Sequence, residues 1–194
     1  SDVVVVCVGD LAGLFQSGTV GEGSDTDSLN LPGVQQQLLE ALVATGKPVI
    51  VVMTGGRPYH LQGLEDKVAA LIVAWAPGQE GGWAIADVLT GRAEPQGRLV
   101  VSVPKSAGAM PYYYNHKLKS GGTPFAFHFG ARYSFGFGLG WTTFSWGNAS
   151  VASSEVSVDG EVALSVEITN TGERSGSEVV QVYVRDKVAT QVRP

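Results

Sequence analysis

Unbroken apolar runs of strand length recur through the first half of the chain. The first occupies residues 3–8, is rich in valine and has the pattern of a strand covered on both faces. Between the runs, apolar residues at helical spacing predict helices from about residue 33 and over residues 80–90. Strands alternating with helices predict an α/β domain with a mostly parallel sheet. The later strand-length runs lie at residues 48–53, 69–75 and 99–103.

The first predicted helix has one apolar face and one polar face. The glutamines at 35–37 lie on the polar side and are predicted to face solvent. Cys7, the one cysteine, falls within the first apolar run and is predicted to be a small buried core residue. A single thiol excludes an internal disulfide. The apolar face that the helix is expected to bury consists of Val34, Leu38, Leu39, Leu42 and Val43.

The pattern changes after about residue 144, where no helical period follows. Residues 161–169 alternate between apolar and polar, residues 179–184 form another apolar run, and Asn170-Thr171-Gly172 between them is a turn signal. A whole immunoglobulin-like sandwich takes about 100 residues and seven strands. We therefore expect an α/β domain over 1–144, incomplete at its N-terminal side, followed by a partial β-sandwich over 145–194.

Composition and charge narrow the classes of partner. The 194 residues are 44% hydrophobic with a formal net charge of −5, and no basic stripe is present, which argues against nucleic acid. No apolar stretch approaches the roughly 20 residues that span a bilayer, so no membrane partner is predicted. His60, His116 and His128 lack metal-ligand spacing. No metal, nucleotide or organic cofactor is implied.

A long polar loop over residues 10–32 leaves the first predicted strand. Its centre reads Gly21-Glu22-Gly23. Ligands of open α/β sheets bind at the carboxyl ends of strands, and glycines on both sides of a carboxylate let the backbone bend sharply near a ligand. A glutamate held at the tip of such a loop can act as a general acid and base.

Ordered motifs occupy nearly the whole chain. Through the first part of the chain they are Val8-Gly9-Asp10, Ala12-Gly13-Leu14-Phe15, Gly21-Glu22-Gly23, Leu31-Pro32-Gly33, Pro77-Gly78-Gln79-Glu80-Gly81-Gly82, Gly97-Arg98-Leu99, Tyr112-Tyr113-Tyr114-Asn115-His116 and Phe135-Gly136-Phe137-Gly138. In the tail they are Asn170-Thr171-Gly172 and Glu178-Val179-Val180-Gln181. Together these motifs resemble the C-terminal part of family 3 glycoside hydrolases of the β-glucosidase or β-xylosidase type, and those of the tail resemble the fibronectin-type-III-like domain of that family.

The resemblance implies roles for residues of the loop. Glu22 matches the acid/base of a retaining, exo-acting hydrolysis of β-glucosides or β-xylosides, and the nucleophile would be an Asp on a preceding (β/α)8 barrel domain absent from this sequence. Because retention needs two carboxylates about 5 Å apart, this chain alone is expected to be inactive. Phe15 and Asp25 are candidate substrate-binding residues. Many members have Asp-Arg where this chain has Asp25-Thr26, so no charge partner for Asp25 is carried over.

Two other interpretations stay open. The chain could be a non-catalytic carbohydrate-binding or assembly module, whose half-sandwich tail pairs with another chain. It could also be one piece of an enzyme whose remainder, including the barrel domain, is a separate polypeptide. The adjacent Tyr112, Tyr113 and Tyr114 are compatible with an interface to a second subunit, so a homodimer is a further alternative.

Overall fold

The first part of the chain forms a parallel sheet with connecting helices. The computed structural model describes residues 1–15, 17–116 and 129–189. Three strands lie in the order β1-β2-β3, and both neighbouring pairs are parallel. The predicted alternation of strands and helices is confirmed. In chain order the elements are β1 (Val4–Gly9), α1 (Gln35–Ala44), β2 (Val49–Thr54), β3 (Ala70–Trp75) and α2 (Gly81–Thr90).

The core lies on the face of the sheet that α1 covers. Leu39 of α1 and Val51 of β2 are both fully buried. The predicted apolar face of α1 is wrong in part, because Val34 is 75% exposed and Leu38 is 46% exposed. Gln35, predicted to face solvent, turns inward. The cluster comprises Val6, Val8, Leu31, Leu39, Val49, Val51, Met53, Tyr59, Leu61 and Leu64.

The opposite face of β1 is open among the described residues. Val6 and Val8 are buried, whereas Val5 is 48% exposed and Cys7 is also exposed. The predictions that both faces of this strand are covered and that Cys7 is a core residue are therefore wrong. The physical reason is the two-residue period of a strand: α1 covers the side of Val6 and Val8, and the alternate positions point away from it.

A small antiparallel pair follows α2. Strand β4 (Val103–Pro104) pairs with β5 (Ala131–Tyr133). The predicted strand over 99–103 is shorter than expected. The start of the predicted strand is not part of β4. There the Leu99 N–H donates a backbone hydrogen bond to the Phe137 carbonyl oxygen over 2.8 Å.

The tail contains an antiparallel pair and a segment without regular structure. Strand β6 (Phe144–Val151) pairs with β7 (Leu164–Asn170). Strand β7 is close to the strand predicted over 161–169. Sequence patterning missed β6, because a register shift between Trp146 and Ala149 interrupts its alternation. Residues 179–184, predicted to be a strand, are irregular, since no described strand pairs with them.

Side chains join this tail to the preceding part of the chain. Arg98 forms an ion pair with Glu178 over 2.5 Å, and both side chains are largely buried. The Gln181 amide donates to the carbonyl oxygen of Gly136 over 2.9 Å. None of the helices within the described ranges has both the length and the apolar character that crossing a bilayer requires.

Candidate active site

The loop that carries Glu22 leaves the sheet at the carboxyl end of β1. The segment after β2 leaves at the same edge, so the two lie side by side. The start of the loop is fixed by α1: Gln35 accepts a hydrogen bond from the Gly9 N–H (2.8 Å) and donates one to the Gly9 carbonyl oxygen (3.0 Å). The end of the loop is anchored by Leu29 and Leu31, which are 2% and 5% exposed.

Backbone hydrogen bonds join the two arms of the loop, the one that begins at Leu11 and the one that runs from Thr19 to Glu22. The Thr19 N–H donates to the Leu11 carbonyl oxygen (2.7 Å), and the Gly13 N–H donates to that of Val20 (2.8 Å). Further out, the Phe15 N–H donates to the Glu22 carbonyl oxygen over 2.9 Å. The acid/base candidate is therefore held through its main chain, although it lies on a long loop.

Glu22 occupies a tight turn that needs its flanking glycines. Gly21 has a φ of 129°, and a Cβ there would lie 1.9 Å from the Gly13 carbonyl oxygen. The Ser24 N–H donates to the Gly21 carbonyl oxygen over 3.1 Å and closes the turn. Glu22 is exposed, and its carboxylate takes part in none of the hydrogen bonds or ion pairs found among the described residues. This carboxylate is free to meet a ligand.

Phe15 lies beside the turn. The residue is 70% exposed, and a Cβ on Gly23 would lie 3.3 Å from its Cδ1 atom. Phe15 also adopts a φ of 49°, in the left-handed region that residues other than glycine seldom occupy. The loop thus brings an exposed aromatic residue next to the turn that carries Glu22.

Asp25 has a guanidinium partner that sequence reasoning missed. Its Oδ1 atom accepts hydrogen bonds from Arg57 (3.1 Å) and from the Thr26 N–H (2.7 Å). The Arg57 side chain is 14% exposed, whereas that of Asp25 is 91% exposed. Arg57 follows β2, and the rule that strand ends meet at one edge of a parallel sheet could have suggested it.

A hydrogen-bonded chain supports the inner part of the loop. Asp10, directly after β1, accepts hydrogen bonds from the Gly56 N–H (2.6 Å) and from the Tyr59 hydroxyl. Tyr59 is 3% exposed, and its hydroxyl also bonds the Thr19 hydroxyl over 2.7 Å. Burial, together with the hydrogen bond to Asp10, raises the pKa of Tyr59 from 10.0 to about 12.

The raised pKa of Tyr59 predicts that the difference in stability between the original chain and the Tyr59→Phe variant decreases at alkaline pH. Tyr59→Phe removes a hydroxyl that serves two partners, so the variant is expected to be less stable below pH 10. As pH rises from 10 to about 12, the unfolded Tyr59 ionises while the folded one stays neutral, and the original chain loses its advantage. Urea unfolding of both proteins at pH 8, 10 and 12 checks this. A difference in the free energy of unfolding that stays constant from pH 8 to pH 12 would contradict this prediction.

An open cleft of about 640 Å³ borders the segment after β2. Pro58, Trp75 and Tyr112 contribute to its mainly apolar lining. No group of three or more His, Cys, Asp or Glu within the described ranges is placed to hold a metal ion. His128 lies outside those ranges.

Comparison with known proteins identifies the family. The model of the glycosyl hydrolase family 3 C-terminal domain matches residues 1–141. A periplasmic β-glucosidase from Salmonella typhimurium is 39% identical over 100% of this chain and 26% of that protein. A β-xylosidase from Formosa agariphila is also 39% identical, over 98% of this chain and 26% of that protein. The chain belongs to the glycosyl hydrolase family 3 C-terminal domain family and spans about a quarter of these relatives' length.

Solved structures share the fold. A β-glucosidase from Erythrobacter marinus matches with a TM-score of 0.84 at 35% identity, over 100% of this chain and 26% of that one. A β-glucosidase from Listeria innocua, solved in complex with glucose, matches with a TM-score of 0.80 at 31% identity, over 100% and 28%. The predicted α/β fold is consistent with both.

Proposed function

We propose that this chain supplies the acid/base half of a retaining β-glycosidase active site, with Glu22 as the acid/base. The observation that carries the proposal is the exposed Glu22 carboxylate on a hydrogen-bonded turn at the carboxyl edge of the sheet, in a chain of this family. A carboxylate that is fixed through its main chain and open to a ligand is suited to proton transfer.

Glu22 acts twice in the proposed reaction. In the first step its proton passes to the glycosidic oxygen while a carboxylate on the opposite side of the sugar attacks the anomeric carbon and the C–O bond breaks. In the second step Glu22 takes a proton from water, which attacks the anomeric carbon and releases the second carboxylate. The family resemblance assigns this second carboxylate to an Asp on the (β/α)8 barrel domain, so the chain alone is proposed to be inactive.

β-Glucosides or β-xylosides are the proposed substrates, because relatives at 39% identity include a β-glucosidase and a β-xylosidase. Phe15 is proposed to pack its exposed ring on the apolar face of a sugar. For Asp25, the Oδ1 atom already binds Arg57 and Thr26, so a sugar hydroxyl would donate to Oδ2.

We further propose that residues 145–194 begin a fibronectin-type-III-like domain that follows an α/β domain over 1–144. The antiparallel pairing of β6 with β7, in contrast to the parallel β1–β3 sheet, supports this division. Residues 190–194 lie outside the described ranges.

The test of the proposed function is reconstitution. The chain is assayed alone and after co-expression with the family's barrel domain, here called the reconstituted enzyme, with a chromogenic β-glucoside and β-xyloside. Activity is expected only from the reconstituted enzyme, with products that keep the β configuration in a proton NMR time course. Activity from the chain alone would refute the shared site. Association with the barrel domain without activity would favour a non-catalytic module.

A further inference from the structure

The Arg57 guanidinium donates hydrogen bonds to the main chain of the Glu22 loop at two places. Its Nη1 atom donates to the Thr19 carbonyl oxygen over 2.8 Å, and its Nη2 atom donates to the Thr26 carbonyl oxygen over 3.0 Å. Nη1 also reaches the Asp25 carboxylate. Thr19 precedes the turn that holds Glu22, whereas Asp25 and Thr26 follow it. One largely buried side chain, from the segment after β2, thus connects both flanks of the turn.

Resting on the proposed function, we infer that Arg57 is the positioning residue that fixes the Glu22 turn for proton transfer. The hydrogen bonds found for Arg57 go to Thr19, Asp25 and Thr26 and not to Glu22, so Arg57 acts on the turn through the residues on either side of it. Without it, the arm before the turn would keep the hydrogen bond between Thr19 and Tyr59, but the arm after the turn would lose the hydrogen bonds that join Asp25 and Thr26 to the segment after β2. A turn that this segment holds on one flank only would leave the carboxylate less precisely placed.

The chemistry of the contact requires arginine rather than any cation. The two carbonyl oxygens are bound by different nitrogens of one planar group, a fork that the compact lysine ammonium cannot reproduce. The ion pair with Asp25 is the lesser part of the contact, because the Asp25 side chain is 91% exposed and exposed pairs contribute little. Arg57→Lys is therefore expected to retain only part of the amide protection of the loop, and Asp25→Ala is expected to retain most of that protection.

Amide hydrogen exchange of the full chain tests the positioning directly. In Arg57→Ala, the amides of Phe15, Thr19 and Ser24, which are hydrogen-bonded within the loop, are expected to exchange about tenfold faster. Arg57→Lys should fall between this variant and the original chain. Arg92→Ala is the matched control, because Arg92 pairs with Asp87 on α2 and should leave the loop amides unchanged. Unchanged loop exchange in Arg57→Ala would overturn the inference, whatever the role of Glu22.

Kinetics of the reconstituted enzyme test the consequence for catalysis. An alkyl β-glucoside needs a proton on its leaving oxygen, whereas a 2,4-dinitrophenyl β-glucoside does not. Arg57→Ala is expected to lower kcat/KM for the alkyl substrate by about 100-fold and to change kcat/KM for the dinitrophenyl substrate far less. An equal fall for both substrates would mean general damage to the fold and would overturn a positioning role.

The two proposals fail in distinguishable ways. If Glu22→Ala keeps full activity, the proposed function is wrong even where Arg57→Ala loosens the loop. If Glu22→Ala is inactive on the alkyl substrate but Arg57→Ala is unaffected on it, the proposed function stands and the positioning role falls. Should Arg57→Ala fail to fold, as judged by its thermal transition, Arg57→Lys carries both measurements, and full retention of loop protection and of kcat/KM in that variant would overturn the requirement for the fork.

Discussion

Glu22→Ala in the reconstituted enzyme is expected to lower kcat/KM for an alkyl β-glucoside by about 10²–10⁴-fold. The variant loses the carboxyl group that we propose as the proton donor to the leaving oxygen, and no hydrogen bond or ion pair of that carboxylate is found among the described residues. The fold of the loop should survive, because the turn is held by the main chain of Phe15, Gly21 and Ser24 rather than by the Glu22 side chain.

Two further observations separate loss of an acid/base from general damage. With a 2,4-dinitrophenyl β-glucoside, the first step needs no proton, so the glycosyl-enzyme should form and then persist for want of a general base. Azide attacks without being deprotonated, so it should raise kcat and yield a β-glycosyl azide. Stopped-flow release of dinitrophenol and NMR of the product measure both effects.

Asp27→Ala is the control for the Glu22 experiment. Asp27 is another exposed carboxylate of the same loop, and none of the described residues is found hydrogen-bonded to its side chain. Its removal should leave kcat/KM close to that of the unchanged enzyme. If Asp27→Ala lowers activity as much as Glu22→Ala, or if azide rescues neither, the assignment of the acid/base to Glu22 is wrong.

The parts of the fold that sequence patterning predicted are those governed by local rules. Residues 48–53 and 69–75 became β2 and β3 because a continuous apolar run suits a strand inside a parallel sheet. Gly91 ends α2 with a φ of 77°, the left-handed conformation that glycine adopts at a helix end. The turn at Glu22 likewise follows from its two glycines.

The supports of the candidate site were not predictable in the same way, because they join distant parts of the chain. Arg57 and Tyr59 lie more than 30 residues beyond the turn in sequence and reach it only because β1 and β2 are neighbours in the sheet. Gln35 was assigned to solvent from its polarity, yet the open backbone of Gly9 offers its amide a donor and an acceptor together. Hydrophobic patterning alone does not predict that a polar residue turns inward, because the position of such a residue depends on a specific hydrogen-bond partner.

Leu39→Ala is expected to lower the free energy of unfolding by about 2–5 kcal/mol. Leu39 is fully buried at the contact between α1 and the β1–β2 part of the sheet, so truncation leaves a cavity in the main core. Leu38→Ala is the matched control: the same atoms are removed from the next residue of the same helix, which is 46% exposed, and the loss should stay under about 1.5 kcal/mol. Urea unfolding of both variants measures the difference.

The comparison also tests how the core supports the site. Leu39 lies four residues after Gln35, one helical turn away on the same face of α1, so the packing that holds Leu39 also sets the position of the amide that binds Gly9. Leu39→Ala should therefore speed amide exchange at Gly9, whereas Leu38→Ala should not. Equal losses of stability in the two variants would mean that α1 is rotated from the orientation described, and Gln35 could not then hold the start of the Glu22 loop.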